Sequence, residues 1–178
     1  MTLSETSSRT PFPADAFSDV TKANEKFVTT FASADLPAIA RRGLALVTCM
    51  DSRIEPLSIL GMEAGDVKIL RNAGARVTDD VMRTLVLATY LLGVNRVLVM
   101  PHTDCKMASG SEAQIHSTIL AEHGVDTRSI EIRTVSDQLD ALITDVIRIR
   151  AFALLPKDLV VAGAIYDTST GRVAPVDV

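Results

Sequence analysis

The chain has 178 residues, 47% of them hydrophobic, and carries 22 acidic against 18 basic residues for a formal net charge of −4. That length suits one domain with a core large enough to need no disulfide staples. The acidic balance argues against nucleic acid or a membrane surface as the main partner, and an aromatic content of 4% with no Trp argues against base-stacking platforms. Two cysteines are too few for a disulfide scaffold. Met1 to Ser18 lacks the apolar core of a signal peptide, and no apolar run approaches the roughly 18 residues of a membrane-spanning helix. The expected compartment is the reducing cytoplasm, where thiols stay available for metal or chemistry.

In chain order, residues 1–14 are rich in Ser, Thr and Pro and read as a flexible arm, leaving 15–178 as a single domain. From Asp15, a possible N-cap, to Phe31, the recurrence of Phe17, Val20, Ala23, Phe27 and Phe31 predicts a helix with an apolar stripe. Leu44–Thr48 is a continuous apolar run, the mark of a strand covered on both faces. Val67–Leu70 is a second such run. Thr78–Leu92 is helical in period, with Thr78 as cap, Val81, Leu85, Ala88 and Leu92 inward, and Gly93 as terminator. Arg96–Met100 is a third strand. Ser111–His123 is a helix stopped at Gly124, and Val135–Phe152 is another, with Leu139, Leu142, Val146 and Ile149 on its buried side. Leu159–Tyr166 is a fourth strand and Arg172–Val176 a short edge strand beyond the turn at Gly171. Apolar strands alternating with amphipathic helices define an α/β domain with a mostly parallel central sheet flanked by helices.

In such sheets functional groups gather beyond the carboxyl ends of strands. Two loops here fit that rule: Cys49-Met50-Asp51-Ser52-Arg53 after the first strand, and His102-Thr103-Asp104-Cys105 after the third. Cys49, His102 and Cys105 form a credible zinc set, since zinc takes thiolate and imidazole ligands, and three protein ligands leave a fourth position open for catalysis. The alternative for each thiol is a small apolar core filler. Asp51 and Arg53 stand two apart, so an extended loop points both to one side. Arg53 can hold Asp51 with a bidentate fork and keep it ionised, an acceptor able to orient a zinc-bound hydroxide. A plain loop salt bridge is the alternative. Glu55 stands where a phosphatase-type Cys would need its Arg, and no phosphate-loop lysine motif, H-E-x-x-H, G-x-S-x-G or CxxC occurs.

Taken in order and spacing, Cys49-Met50-Asp51-Ser52-Arg53, Arg71-Asn72-Ala73-Gly74 and His102-Thr103-Asp104-Cys105 resemble the β-class carbonic anhydrases, with Gly163-Ala164-Ile165-Tyr166-Asp167 and Thr170-Gly171 similar to that family's closing strand pair. The resemblance runs from Leu44 to the C-terminus. It implies one Zn2+ per subunit on Cys49, His102 and Cys105, and reversible hydration of CO2 with Asp51 and Arg53 as the catalytic pair. It also implies a homodimer or larger homo-oligomer in which the N-terminal helix packs on a partner subunit. Related short members hydrolyse carbonyl sulfide or carbon disulfide on the same scaffold, so that activity is the nearest alternative. A noncatalytic zinc-binding module and a thiol redox sensor stand further off. Lys106 departs from the Gly usual after the second ligand cysteine. Gly74 is a candidate to line the substrate pocket with its backbone amide, or a simple turn. His116 and His123 are expected to be solvated surface residues.

Overall fold

A computed structural model describes residues 10–178, so part of the expected 1–14 arm lies outside the described residues. The chain divides into two compact units, one ending at Leu36 and the other running Pro37–Val178. The first contains a 3-10 turn, Ala14–Phe17, followed by helix α1, Ser18–Val28. The regular helix starts at Ser18 rather than Asp15, because the Pro13-led turn before it is wound more tightly. Phe17, Val20, Phe27 and Phe31 are all exposed within it, and Phe27 stacks at a tilt on Phe31 with ring centroids 5.6 Å apart.

The second unit contains strand β1 (Leu44–Cys49), helix α2 (Pro56–Leu60), β2 (Val67–Asn72), α3 (Asp79–Leu91), β3 (Arg96–Met100), α4 (Glu112–His123), α5 (Gln138–Arg150), β4 (Val160–Tyr166) and β5 (Val173–Val176). The sheet order is β2-β1-β3-β4-β5. The first four strands are parallel, and β5 closes the edge antiparallel to β4. Every residue of β1 is buried, as its unbroken apolar run predicts for a central parallel strand. On one face Ala45, Val47, Val97 and Val99 pack with Val81 and Leu85 of α3 and with Leu142, Val146 and Ile149 of α5. On the other, Leu46, Ile54, Met100 and Tyr166 cluster with Cys49 and Cys105. Burying a side chain such as Leu85 stabilises the fold by about 1.5–3 kcal/mol. Gly163 lets α5 come close to the sheet: a Cβ there would meet Leu142 Cδ1 at 3.1 Å.

The helix starts follow capping chemistry. Thr78 accepts from Val81 N, and Ser111 forms a full capping box with Gln114. Asp137 accepts from Asp140 N, which starts α5 at Gln138, three residues after the expected Val135. Val135 is buried but lies ahead of the helix, its N–H donating to Met107 O at 2.9 Å. Leu139, expected inward, is exposed, because Gln138 takes the inward place in the first turn. Among the described residues no helix is long and apolar enough to cross a membrane.

Candidate metal centre and its loops

From β1 the chain crosses to β2 on one side of the sheet and then to β3 on the other, so the order reverses between β1 and β3. Loops leaving those two strands diverge and open a crevice, the usual place for a ligand in such a sheet. The two motif-bearing loops leave from there. Cys49 ends β1, His102 is held in register beside Tyr166 two residues past β3, and Cys105 follows at the foot of a short turn.

The three side chains are buried, and their donor atoms all lie within 4.8 Å of one another. The Sγ atoms of Cys49 and Cys105 are 4.0 Å apart, close to the roughly 3.8 Å edge of a tetrahedron with zinc–sulfur bonds near 2.3 Å. His102 Nδ1 lies 2.8 Å from Thr103 O. A carbonyl only accepts, so Nδ1 carries the proton and Nε2 presents a lone pair. That Nε2 is buried without a hydrogen-bond partner. An orphaned ring nitrogen facing two thiols is costly unless a cation completes it. Burial, and then the neighbouring Cys49, push the Cys105 thiol up, and a divalent cation reverses that by favouring both thiolates. The donors therefore fit zinc.

Beside the cluster, Asp51 and Arg53 form the fork that their spacing suggested. Asp51 Oδ1 accepts from Arg53 N at 2.9 Å and Nε at 3.0 Å, and Oδ2 accepts from Nη2 at 2.8 Å. These bonds hold the Asp51 carboxyl far below the usual carboxylate range and raise the Arg53 guanidinium. Arg53 also spans the crevice: Nη1 donates to Asp104 Oδ2 at 2.8 Å and Nη2 to Asp104 O at 3.0 Å. Asp104 sits at φ 54°, a left-handed conformation that Asp tolerates better than most residues.

Several supports were not read from the sequence. Arg71, at the end of β2, donates from Nε to Cys49 O at 2.9 Å and from Nη2 to Asp51 O at 2.7 Å, fixing the loop backbone. Gln138 donates to His102 O. Thr168 N donates to Thr103 Oγ1 at 3.1 Å, tying the β4–β5 turn to the His102 loop. Arg71 lies in a quoted motif, but its hydrogen bonds go to backbone oxygens, which no residue pattern records.

A cavity of about 450 Å3 opens beside the cluster, lined by Cys49, Met50, Asp51, Arg53, Ala73, Cys105, Lys106 and Met107. Gly74 is buried next to it at φ 78°, where an added Cβ would meet Met107 Cβ at 3.2 Å. Asn72 closes that turn, with Nδ2 donating to Arg76 O at 2.7 Å and Oδ1 accepting from Arg76 N at 2.8 Å. His123 is exposed as expected, but His116 is largely buried: Nδ1 lies 2.8 Å from Thr127 Oγ1 and Nε2 3.5 Å from Glu112.

Fold and cluster define the class, an α/β protein whose switch-point loops carry a Cys2His set that could hold a metal ion. The family model described as "Carbonic anhydrase" matches residues 44–123, from the start of β1 to the end of α4. Beta-carbonic anhydrase 1 of Mycobacterium tuberculosis is 32% identical over 142 residues, covering 79% of this chain and 86% of that protein. A carbon disulfide hydrolase of Acidithiobacillus thiooxidans is 30% identical over 155 residues, covering 74% and 71%. The crystal structure of a carbonic anhydrase from Streptococcus mutans superposes with a TM-score of 0.86 at 36% identity, covering 94% of this chain and all of that one. The chain belongs to the β-carbonic anhydrase family of enzymes.

Proposed function

We propose that the chain catalyses the reversible hydration of CO2 to bicarbonate and a proton, with Zn2+ held by Cys49, His102 and Cys105. The observation that carries this reading is the placing of an ionised, acceptor-only carboxylate beside the three donors, with Asp51 Oδ2 3.8 Å from His102 Nε2. A purely structural metal site has no use for such a pair. Bound zinc supplies Lewis-acid activation of a water molecule near neutral pH. Asp51 accepts the hydrogen bond of the attacking oxygen and so aims its lone pair at the carbon of CO2. Arg53 keeps both carboxylate oxygens occupied on one edge, which holds Asp51 out of the ligand set. Arg71 fixes the backbone on which Cys49 and Asp51 sit. Met50 and Met107 give the cavity apolar wall suited to an uncharged, linear substrate; the candidate Gly74 follows the lining Ala73 and is not itself among the lining residues.

The relatives described as carbon disulfide hydrolases support a second reading, hydrolysis of carbonyl sulfide or carbon disulfide at the same site. Stopped-flow CO2 hydration by fully zinc-loaded protein at about pH 8.5 tests the first. Rapid turnover is expected; sulfide release from carbon disulfide or carbonyl sulfide with no CO2 hydration would overturn it for the second. Two thiol ligands 4.0 Å apart also suit a reducing compartment, and we assign the protein to the cytoplasm. The exposed apolar stripe of α1 suits burial in a homodimer or larger homo-oligomer, which sedimentation velocity checks.

A further inference from the structure

We propose that Lys106 is an anion-recruiting residue that sets the affinity of the site for bicarbonate and anions like it. The inference deepens the hydration reading, whose charged species is bicarbonate. The charges around the cavity carry it. Asp51 and Asp104 take four of the five N–H groups of Arg53, so its charge is already committed to two carboxylates. With both thiols ionised, a divalent cation on Cys49, His102 and Cys105 contributes no net charge. Arg71, the other cation at the loop, is given to Cys49 O and Asp51 O and is not among the residues lining the cavity. Lys106 lines the same cavity, is exposed, and its ammonium has no hydrogen-bond or ion-pair partner among the described residues. Its neighbour Cys105 places it on the rim, and the turn it opens, Lys106–Ala108, is held by Ala108 N donating to Cys105 O at 2.9 Å. The Lys106 backbone is therefore fixed next to the donor set while its ammonium remains free to meet an anion. A positive charge at the mouth raises the anion concentration at the cluster. An uncharged substrate gains nothing from it.

The test is calorimetric titration of nitrate, an inert anion shaped like bicarbonate, into metal-loaded protein at constant ionic strength, with bicarbonate as competitor. A unit charge a few ångströms away near a surface changes affinity by about three- to tenfold. The nitrate dissociation constant is expected to rise by about that factor in Lys106→Gln, further in Lys106→Glu, and to return in Lys106→Arg. The exposed Lys157→Gln, on the loop before β4, changes net charge equally and is expected to leave the constant unmoved. Native constants in both Lys106→Gln and Lys106→Glu would overturn the proposal, as would an equal shift in Lys157→Gln. The titration needs no turnover, so it separates the two ideas. Shifted constants in a protein that does not hydrate CO2 retain the anion role and remove the reaction; flat constants in an active enzyme remove Lys106 alone.

Discussion

Asp51 Oδ2 lies 3.8 Å from His102 Nε2, beyond hydrogen-bond range, because both carboxylate oxygens are already turned onto Arg53. The gap between them has an experimental consequence. Arg53→Ala releases the carboxylate without touching a ligand. The variant is expected to retain full zinc while kcat for CO2 hydration falls about a hundredfold or more, the scale of losing a positioned acceptor. Metal analysis beside stopped-flow rates checks both halves. Native turnover in a fully loaded variant would take the pair out of the reaction.

Metal loading itself is expected to depend on the three buried donors. Cys105→Ser and His102→Ala should each abolish stoichiometric zinc. In the native protein zinc at about a thousand times its dissociation constant adds about 4 kcal/mol of stability. Chelation should therefore lower the melting temperature of the native protein and leave that of the two variants unchanged. A native protein whose melting is indifferent to chelator would contradict the ligand assignment.

Gly74→Ala is expected to destabilise the fold by about 1–3 kcal/mol. Its φ of 78° is strained for any side chain, and Met107 Cβ stands 3.2 Å from the new methyl. Adding Met107→Gly removes the contact and leaves the strain, so the double variant should recover part of the loss against Met107→Gly alone. Denaturant unfolding of the four proteins reads both terms.

The sequence was most legible where burial repeats. LALVT and RVLVM could only be strands covered on both faces, and Thr78, Ser111 and Gly124 marked helix ends that the structure keeps. The β2 strand runs on to Asn72, past the apolar run, because Arg71 and Asn72 face the neighbouring loop and not the core. Helix α2 was missed because its five residues span too little of a turn pattern to show a period. The cluster of Cys49, His102 and Cys105 was legible because its donors fall at two strand ends. The bonds that position it were not, because Arg53–Asp104, Gln138–His102 and Arg71–Asp51 link residues distant in sequence, several through backbone oxygens.

A pH dependence follows from Asp66, which is nearly buried in front of β2. The Glu63 N–H, 3.1 Å from Oδ2, lowers its carboxyl, and Arg41 and Arg42 lower it further. A folded-state value below the unfolded one stabilises the fold above the ordinary carboxylate range, and that contribution fades as pH falls through the folded value. Asp66→Asn is thus expected to lower stability at pH 7 and to lower it progressively less below about pH 4. Parallel denaturation curves at the two pH values check this; an equal loss at both would mean the charge does not matter.

The adjacency of β1 and β3 also sets when the enzyme can be completed. Cys49 and Cys105 are 56 residues apart in sequence, and the segment between them includes β2 and α3, which must cross the sheet before β3 can dock. Such non-local pairing is slow to form. A chain still on the ribosome and shorter than His102 holds a single thiol of the set, with little hold on zinc. A metal held by these donors would therefore be captured only after β1 and β3 have paired, and its rate of uptake by newly made protein would be a clock for the closing of the central sheet.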